Sequence, residues 1–197
     1  MKKFFALVLF LVVMSTVAFA MDNNFGFGLG ANWADTSGTI NYYGSHDWSI
    51  ARYGGYGFIF FGISRFIELN LGYIQKFPQE MQVEGYSVST NDLDITDALQ
   101  FGIYGKFPIP LGSRFVIFPT LGADLEYTLG LLGGNAEDWW HEIWLRGGVG
   151  MDFFLGEKLF LRAHFLGGYA IPFGGDEDLG LSHSLGAQVK LGLGWMF

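Results

Sequence analysis

Gln188-Val189-Lys190-Leu191-Gly192-Leu193-Gly194-Trp195-Met196-Phe197 closes the chain on an aromatic residue. Val189, Leu191, Leu193, Trp195 and Phe197 recur at period two, with Gln188, Lys190, Gly192, Gly194 and Met196 between them. Successive side chains of a strand point to opposite faces. The segment therefore carries one apolar face backed by a polar or small one. A terminus left to fray in water has no use for such a face. A strand with lipid on one side and a lumen on the other requires it.

The stretch resembles the C-terminal strand of bacterial outer-membrane β-barrels. In that family the terminal Phe and the alternating apolar positions are read by the barrel-assembly machinery. The resemblance implies that Trp195 and Phe197 form the assembly signal. It also implies two partners, that machinery and outer-membrane lipid.

The other end of the chain agrees. Met1-Lys2-Lys3 is a short positive region, Phe4 to Val13 is an apolar run, and small residues lead to Ala18-Phe19-Ala20. This is the pattern of a cleaved secretory signal, and the run is shorter than the ~20 residues of a helical span. Residues 1–20 are read as the signal peptide and 21–197 as one mature barrel domain. No Cys follows the site, which excludes lipoprotein processing, disulfides and thiolate metal sites. Loss of Lys2 and Lys3, with no acid in the first 20 residues, takes the formal charge of −8 to −10. An acidic chain is not a nucleic-acid binder. Thirty glycines and 18% aromatics fit a small barrel, with Gly where the lumen is tight and aromatics at the membrane interfaces.

After the signal no segment sustains a 3.6-residue period; segments of about ten residues alternate instead. Eight strands are expected, at Phe25–Ala34, Arg52–Phe61, Phe66–Ile74, Leu93–Phe107, Arg114–Tyr127, His141–Phe154, Leu159–Tyr169 and Ser182–Phe197. Faces can be assigned in most of them. In the second, Tyr56, Phe58 and Phe60 compete with Ile59 and Phe61, and both assignments stay open. Asp97 stands out as a carboxylate on an otherwise aliphatic face. Pro119 is expected at a bulge or a weak point of the ladder, because it cannot donate. Leu121 and Leu191 are read as lipid-facing, Gly122 and Gln188 as lumen-facing positions that tolerate Ser.

Connections alternate in length. Gly62–Arg65, Pro108–Ser113 and Leu155–Lys158 are short, whereas Asp35–Ala51, Gln75–Asp92, Thr128–Trp140 and Ala170–Leu181 are long. Short periplasmic turns and long outer loops are the asymmetry of outer-membrane barrels, and eight strands place both termini in the periplasm. Aromatics divide the same way, with Phe61, Phe107, Phe115, Phe153, Trp195 and Phe197 toward the short turns. Trp33, Tyr73, Tyr127, Trp139 and Tyr169 lie toward the long loops.

Several groups invite a chemical reading. Glu68, Asp124, Glu126 and Asp152 face the same interior as Lys106, Arg146, Arg162 and Lys190, together with His164. They form either a selectivity lining or active site, or paired charges that fill the lumen. Glu126 and His164 are expected nearer the outer mouth. Gly26-Phe27-Gly28-Leu29-Gly30 lacks the strand-to-helix context of a phosphate loop and reads as lumen-facing glycines. Ser182-His183-Ser184 invites comparison with outer-membrane lipid A deacylases, which pair a His and a Ser one residue apart. Here His183 and Ser184 are adjacent and point to opposite faces. The long loops hold many acids against Lys76 alone, and Asp176-Glu177-Asp178 is a weak metal candidate that matches no complete calcium loop.

The expectation is an all-β, eight-stranded antiparallel up-and-down transmembrane barrel resembling the OmpA/OmpX type. It has a filled lumen, no cofactor and no enzymatic activity. It is a monomer with a structural or surface-interaction role through acidic loops, and its surface ligand is unspecified. A narrow pore and a lipid-modifying enzyme are the alternatives.

Overall fold

The computed structural model describes residues 23–41, 45–84, 86–88, 95–129, 141–174 and 179–197. Ten strands follow in order: β1 (Asn24–Asn41), β2 (Ser45–Gly62), β3 (Ile67–Val83), β4 (Tyr86–Val88), β5 (Thr96–Lys106), β6 (Ile109–Pro110), β7 (Phe115–Thr128), β8 (His141–Phe154), β9 (Leu159–Phe173) and β10 (Leu179–Met196). Eight are long, and each pairs antiparallel with its chain neighbours. The short β4 pairs antiparallel with the end of β3, and the two-residue β6 pairs antiparallel with β7. β1 pairs with β10 from Asn24↔Met196 to Ile40↔Leu179, which closes the sheet into an eight-stranded barrel. Closure leaves no barrel edge unpaired, as a lipid environment demands.

The register fixes the tilt. Starting at Ile67, the pairs run through Gly105, Leu121, Gly147, Gly167, Ala187, Trp33 and Tyr53 and return to β3 at Phe77. The difference, 77 less 67, is a stagger of ten residues around the ring. A staggered barrel of this size tilts its strands by ~35–45° and leaves an interior that side chains can fill.

The faces separate as the alternation requires. Phe27, Leu29, Leu121, Leu145, Phe165 and Leu191 are exposed on the outside. Glu68, Gln100, Tyr104, Arg146 and Lys190 are buried inside. β2 resolves to Tyr56, Phe58 and Phe60 inward and Tyr53, Ile59 and Phe61 outward. The reason lies on the neighbouring strand, where Gly30, Gly28 and Gly26 are the direct partners of Tyr56, Phe58 and Phe60. A Cβ at any of the three would overlap the facing ring. The rings then run along the inner wall at centroid spacings of 5.6 and 6.1 Å, and Phe60 meets Phe160 at 6.2 Å.

Two expectations change, and two residues find their place. The segments read as long loops at 35–51, 75–92 and 170–181 are largely strand, because β1, β2, β3 and β10 continue past the apolar band. Alternation of apolar residues fails there, but backbone pairing does not need it. Lys76, read as a loop residue, is buried on β3. Pro119 makes no register shift against β8, where it faces Val149. It sits at a weak point of the ladder, as expected, between the end of the β5–β7 pairs at Thr120 and the start of the β6–β7 pairs at Ile117. Its carbonyl accepts from the Phe107 N–H at 3.1 Å. Asp97 also finds its reason: on the outer face it is covered, and the Tyr73 hydroxyl donates to Oδ2 at 3.1 Å. Residues 1–20, Trp139 and Asp176, Glu177 and Asp178 lie outside the described residues.

Candidate functional site in the barrel lumen

Inward positions of the eight long strands bring charged side chains into one enclosed space, in three connected layers. Nearest the short turns, Arg162 on β9 meets both oxygens of Asp152 on β8, each at 2.6 Å. The same guanidinium donates to Glu68 on β3, which also accepts from Lys106 Nζ at 2.9 Å and from Asn70 Nδ2 at 2.9 Å. Arg162 lies 4.7 Å from the ring centres of both Phe60 and Phe160, so its faces are packed as well as its edge. His164 belongs to this layer and not to the outer mouth. Its ring stands edge-on to Phe118 at 5.2 Å, buried and outside the ion pairs.

In the middle layer, Arg146 on β8 donates Nε to Asp124 at 2.7 Å and Nη2 to Glu126 at 2.9 Å. Its guanidinium stacks 4.1 Å from the Trp144 ring centre. The Tyr104 hydroxyl donates to Asp124 and accepts from Lys190 Nζ at 3.3 Å. Lys190 is also 4.6 Å from the centre of the Tyr104 ring. Glu126 is fully enclosed rather than at the mouth.

The third layer escaped the sequence reading. Glu142 on β8 takes Arg52 Nη2 at 2.5 Å, Lys76 Nζ at 2.8 Å, the Trp144 Nε1–H at 3.3 Å and the Ser184 hydroxyl at 3.0 Å. Arg52 also donates to Thr36, which is 2.8 Å from Ser184 across the β1–β10 seam. The periodicity of β8 could have supplied Glu142, two positions before Trp144. Arg52 was hidden by the ambiguity of β2, and Lys76 by the mistaken loop.

All nine residues expected to share the lumen are brought into it. Around them, the buried interior among the described residues holds the acids Glu68, Asp124, Glu126, Glu142 and Asp152 and the bases Arg52, Lys76, Lys106, Arg146, Arg162 and Lys190. An isolated charge in such a place costs several kcal/mol, so pairing is a condition of folding. Chemically the arrangement is a set of carboxylates each held by at least one buried cation. Ser184 is held by Thr36 and Glu142, whereas His183 lies on the opposite face against Ser37 at 3.3 Å. The two therefore do not form a nucleophile and its base. At the other end, Phe197 lies outside the barrel at 6.2 Å from the Phe61 ring, with its N–H donating to Asn23 O at 3.1 Å.

Over residues 5–197 the chain matches the family described as outer membrane protein beta-barrel domain. It belongs to that family. It is therefore a protein of the bacterial outer membrane. Among solved structures, this outer-membrane barrel is similar to OprG of Pseudomonas aeruginosa, at 16% identity and TM-score 0.55, covering 89% of this chain and 95% of that one. Neisserial surface protein A aligns at 15% identity and TM-score 0.46, over 87% and 97% of the two chains. The outer membrane protease OmpT of Escherichia coli aligns at 9% identity and TM-score 0.45, over 89% and 97%. At these identities the likeness is one of fold. No curated protein sequence matches the chain.

Proposed function

We propose that this outer-membrane barrel is a non-conducting, non-enzymatic scaffold that acts through what its long hairpins present outside the cell. The observation that carries this reading is the three-layer charge network, in which residues of β2, β3, β5, β7, β8, β9 and β10 cross-link the lumen. Conducting porins have wide lumens built from sixteen or more strands. Here Gln100, Tyr104, Trp144 and Phe160 add bulk between the pairs. Rigid scaffolds recognise partners mostly through their connecting segments. The long connections of this chain are acidic and include Asp176, Glu177 and Asp178. An even number of strands puts both ends of the chain on one side, which the signal-like N-terminus makes the periplasm. The mature protein, residues 21–197, acts as a monomer.

Planar-bilayer recording tests the reading. The wild-type barrel is expected to give no steady ohmic current. Such a current would put the narrow-pore alternative in its place. Neutralising Asp176, Glu177 and Asp178 together should leave folding intact and weaken calcium or surface-partner binding in calorimetry. Unchanged binding would reduce those acids to solubilising charge.

A further inference from the structure

The eleven Lys and Arg residues of the chain are distributed with unusual economy. Lys2 and Lys3 lie in the expected signal, and Arg52, Lys76, Lys106, Arg146, Arg162 and Lys190 are buried in the lumen. The remaining three, Arg65, Arg114 and Lys158, are exposed on the three short turns, one on each. Each precedes the strand that leaves its turn: β3, β7 and β9. Apart from the buried Lys76, none of the long connections contains a Lys or Arg, while Asp35, Asp47 and Glu84 are exposed at that end. The barrel is electrically polar along its axis.

The three cations sit on the rim of the lipid-facing surface. Exposed Phe66, Phe107, Phe153, Trp195 and Phe197 mark the membrane boundary beneath them. Arg65 lies with its guanidinium 5.0 Å from the centre of the Phe66 ring, which holds it over the aromatic girdle. Of the described acids at this rim, Asp152 is buried against Arg162, and Glu157 is exposed beside Lys158. Arg65 and Pro110 line one cavity of about 220 Å³, so the turn bearing Arg65 adjoins the connection that ends at Arg114. Among the described residues the least offset charge is therefore at Arg65 and Arg114, and Lys158 is partly offset by its neighbour.

We propose that Arg65, Arg114 and Lys158 form a binding rim for the phosphate headgroups of anionic phospholipids. Such a rim draws these lipids into the ring around the barrel at its short-turn end. The surface is continuous with the apolar face that lipid tails already cover, and its charge complements a phosphodiester bearing no amine. Arginine can meet phosphate oxygens with two parallel donors, which sets Arg65 and Arg114 above Lys158. This proposal rests on the reading that the short turns face the periplasmic leaflet.

Lipid retention in nanodiscs, read by native mass spectrometry, is the test. Discs contain phosphatidylethanolamine with a minority of phosphatidylglycerol, and both leaflets are alike. The result therefore does not depend on cellular orientation, which protease access to the hairpins in intact cells tests separately. The wild-type barrel should keep phosphatidylglycerol well above its bulk share. Each of R65Q and R114Q should lower the enrichment roughly fivefold, with K158Q doing less. R65K should retain most of it. High salt should erase it in the wild type, a readout that needs no variant. Heat-modifiable migration checks that each variant is folded. Enrichment that survives R65Q/R114Q/K158Q, or a bulk lipid ratio on the wild type, overturns the proposal. Displacement of the lipid by inorganic phosphate would overturn it too, in favour of a soluble anion.

Discussion

Lys76 Nζ lies 2.6 Å from Glu126 Oε2 and joins the middle layer of the lumen to the outer one. The same ammonium is 2.8 Å from Glu142 Oε2, so one side chain holds two carboxylates of adjacent strands. Removing it leaves buried charge facing buried charge. Lys76→Met is expected to destabilise the barrel by ~3–5 kcal/mol, as breaking a buried pair does elsewhere. Arg146→Ala should cost a similar amount, since Asp124 loses its guanidinium partner and Glu126 one of its two cations. Denaturant titration of barrels refolded in lipid vesicles gives both values. A change below about 1 kcal/mol would mean that these pairs do not carry the lumen.

The two faces should respond differently to the same kind of insult. Leu121→Arg and Leu191→Arg place a cation in the lipid and should cost ~2–4 kcal/mol. Gln188→Ser, inside the lumen, should cost much less. The lumen-facing alternation alone predicts that Gly122→Ser is equally mild, but a Cβ there would press on the Ile103 carbonyl and the Tyr104 ring. Gly122→Ser should therefore disturb the wall, and vesicle refolding should rank it with the lipid-face variants.

Deleting Phe197 should impair assembly in cells far more than refolding in vitro. Its ring lies outside the barrel against Phe61 and contributes little to closure. Membrane fractionation with heat-modifiable migration reads the first effect. Normal membrane levels of the deletion variant would show that the terminal aromatic is not an assembly signal.

Tyr73→Phe removes the hydroxyl that donates to Asp97 on the outer face. A loss of about 0.5–1.5 kcal/mol is expected, typical of one hydrogen bond, and more if the carboxylate must stay ionised. Tyr73→Phe/Asp97→Asn should recover part of it. A neutral Tyr73→Phe would mean that other contacts shield the carboxylate.

The barrel and most of its faces are readable in the chain because lipid and lumen impose opposite preferences at alternate positions. Reading fails where that contrast disappears. Tyr56, Phe58 and Phe60 have no assignable face until β1 is set beside them and its glycines supply the missing volume. Arg52, Lys76 and Glu142 lie at or beyond the edge of the apolar band, where outward neighbours stop being aliphatic. Asp97 needs Tyr73, a partner 24 residues away in sequence. Each failure is one of cross-strand context, which no single strand contains.

The pairing of β1 with β10 also bears on how the barrel forms. Thr36 and Ser184, hydrogen-bonded across that seam, are 148 residues apart in the chain. The strand synthesised last is the one that zips against the first. Ring closure must therefore meet the largest chain-entropy penalty the molecule offers, after every other hairpin has had time to form. Until then β1 and β10 are both open edges, each a template for the wrong strand. An unfinished chain has no closed form to fall back on. The hazardous interval in the life of this protein lies between export and the zipping of that seam.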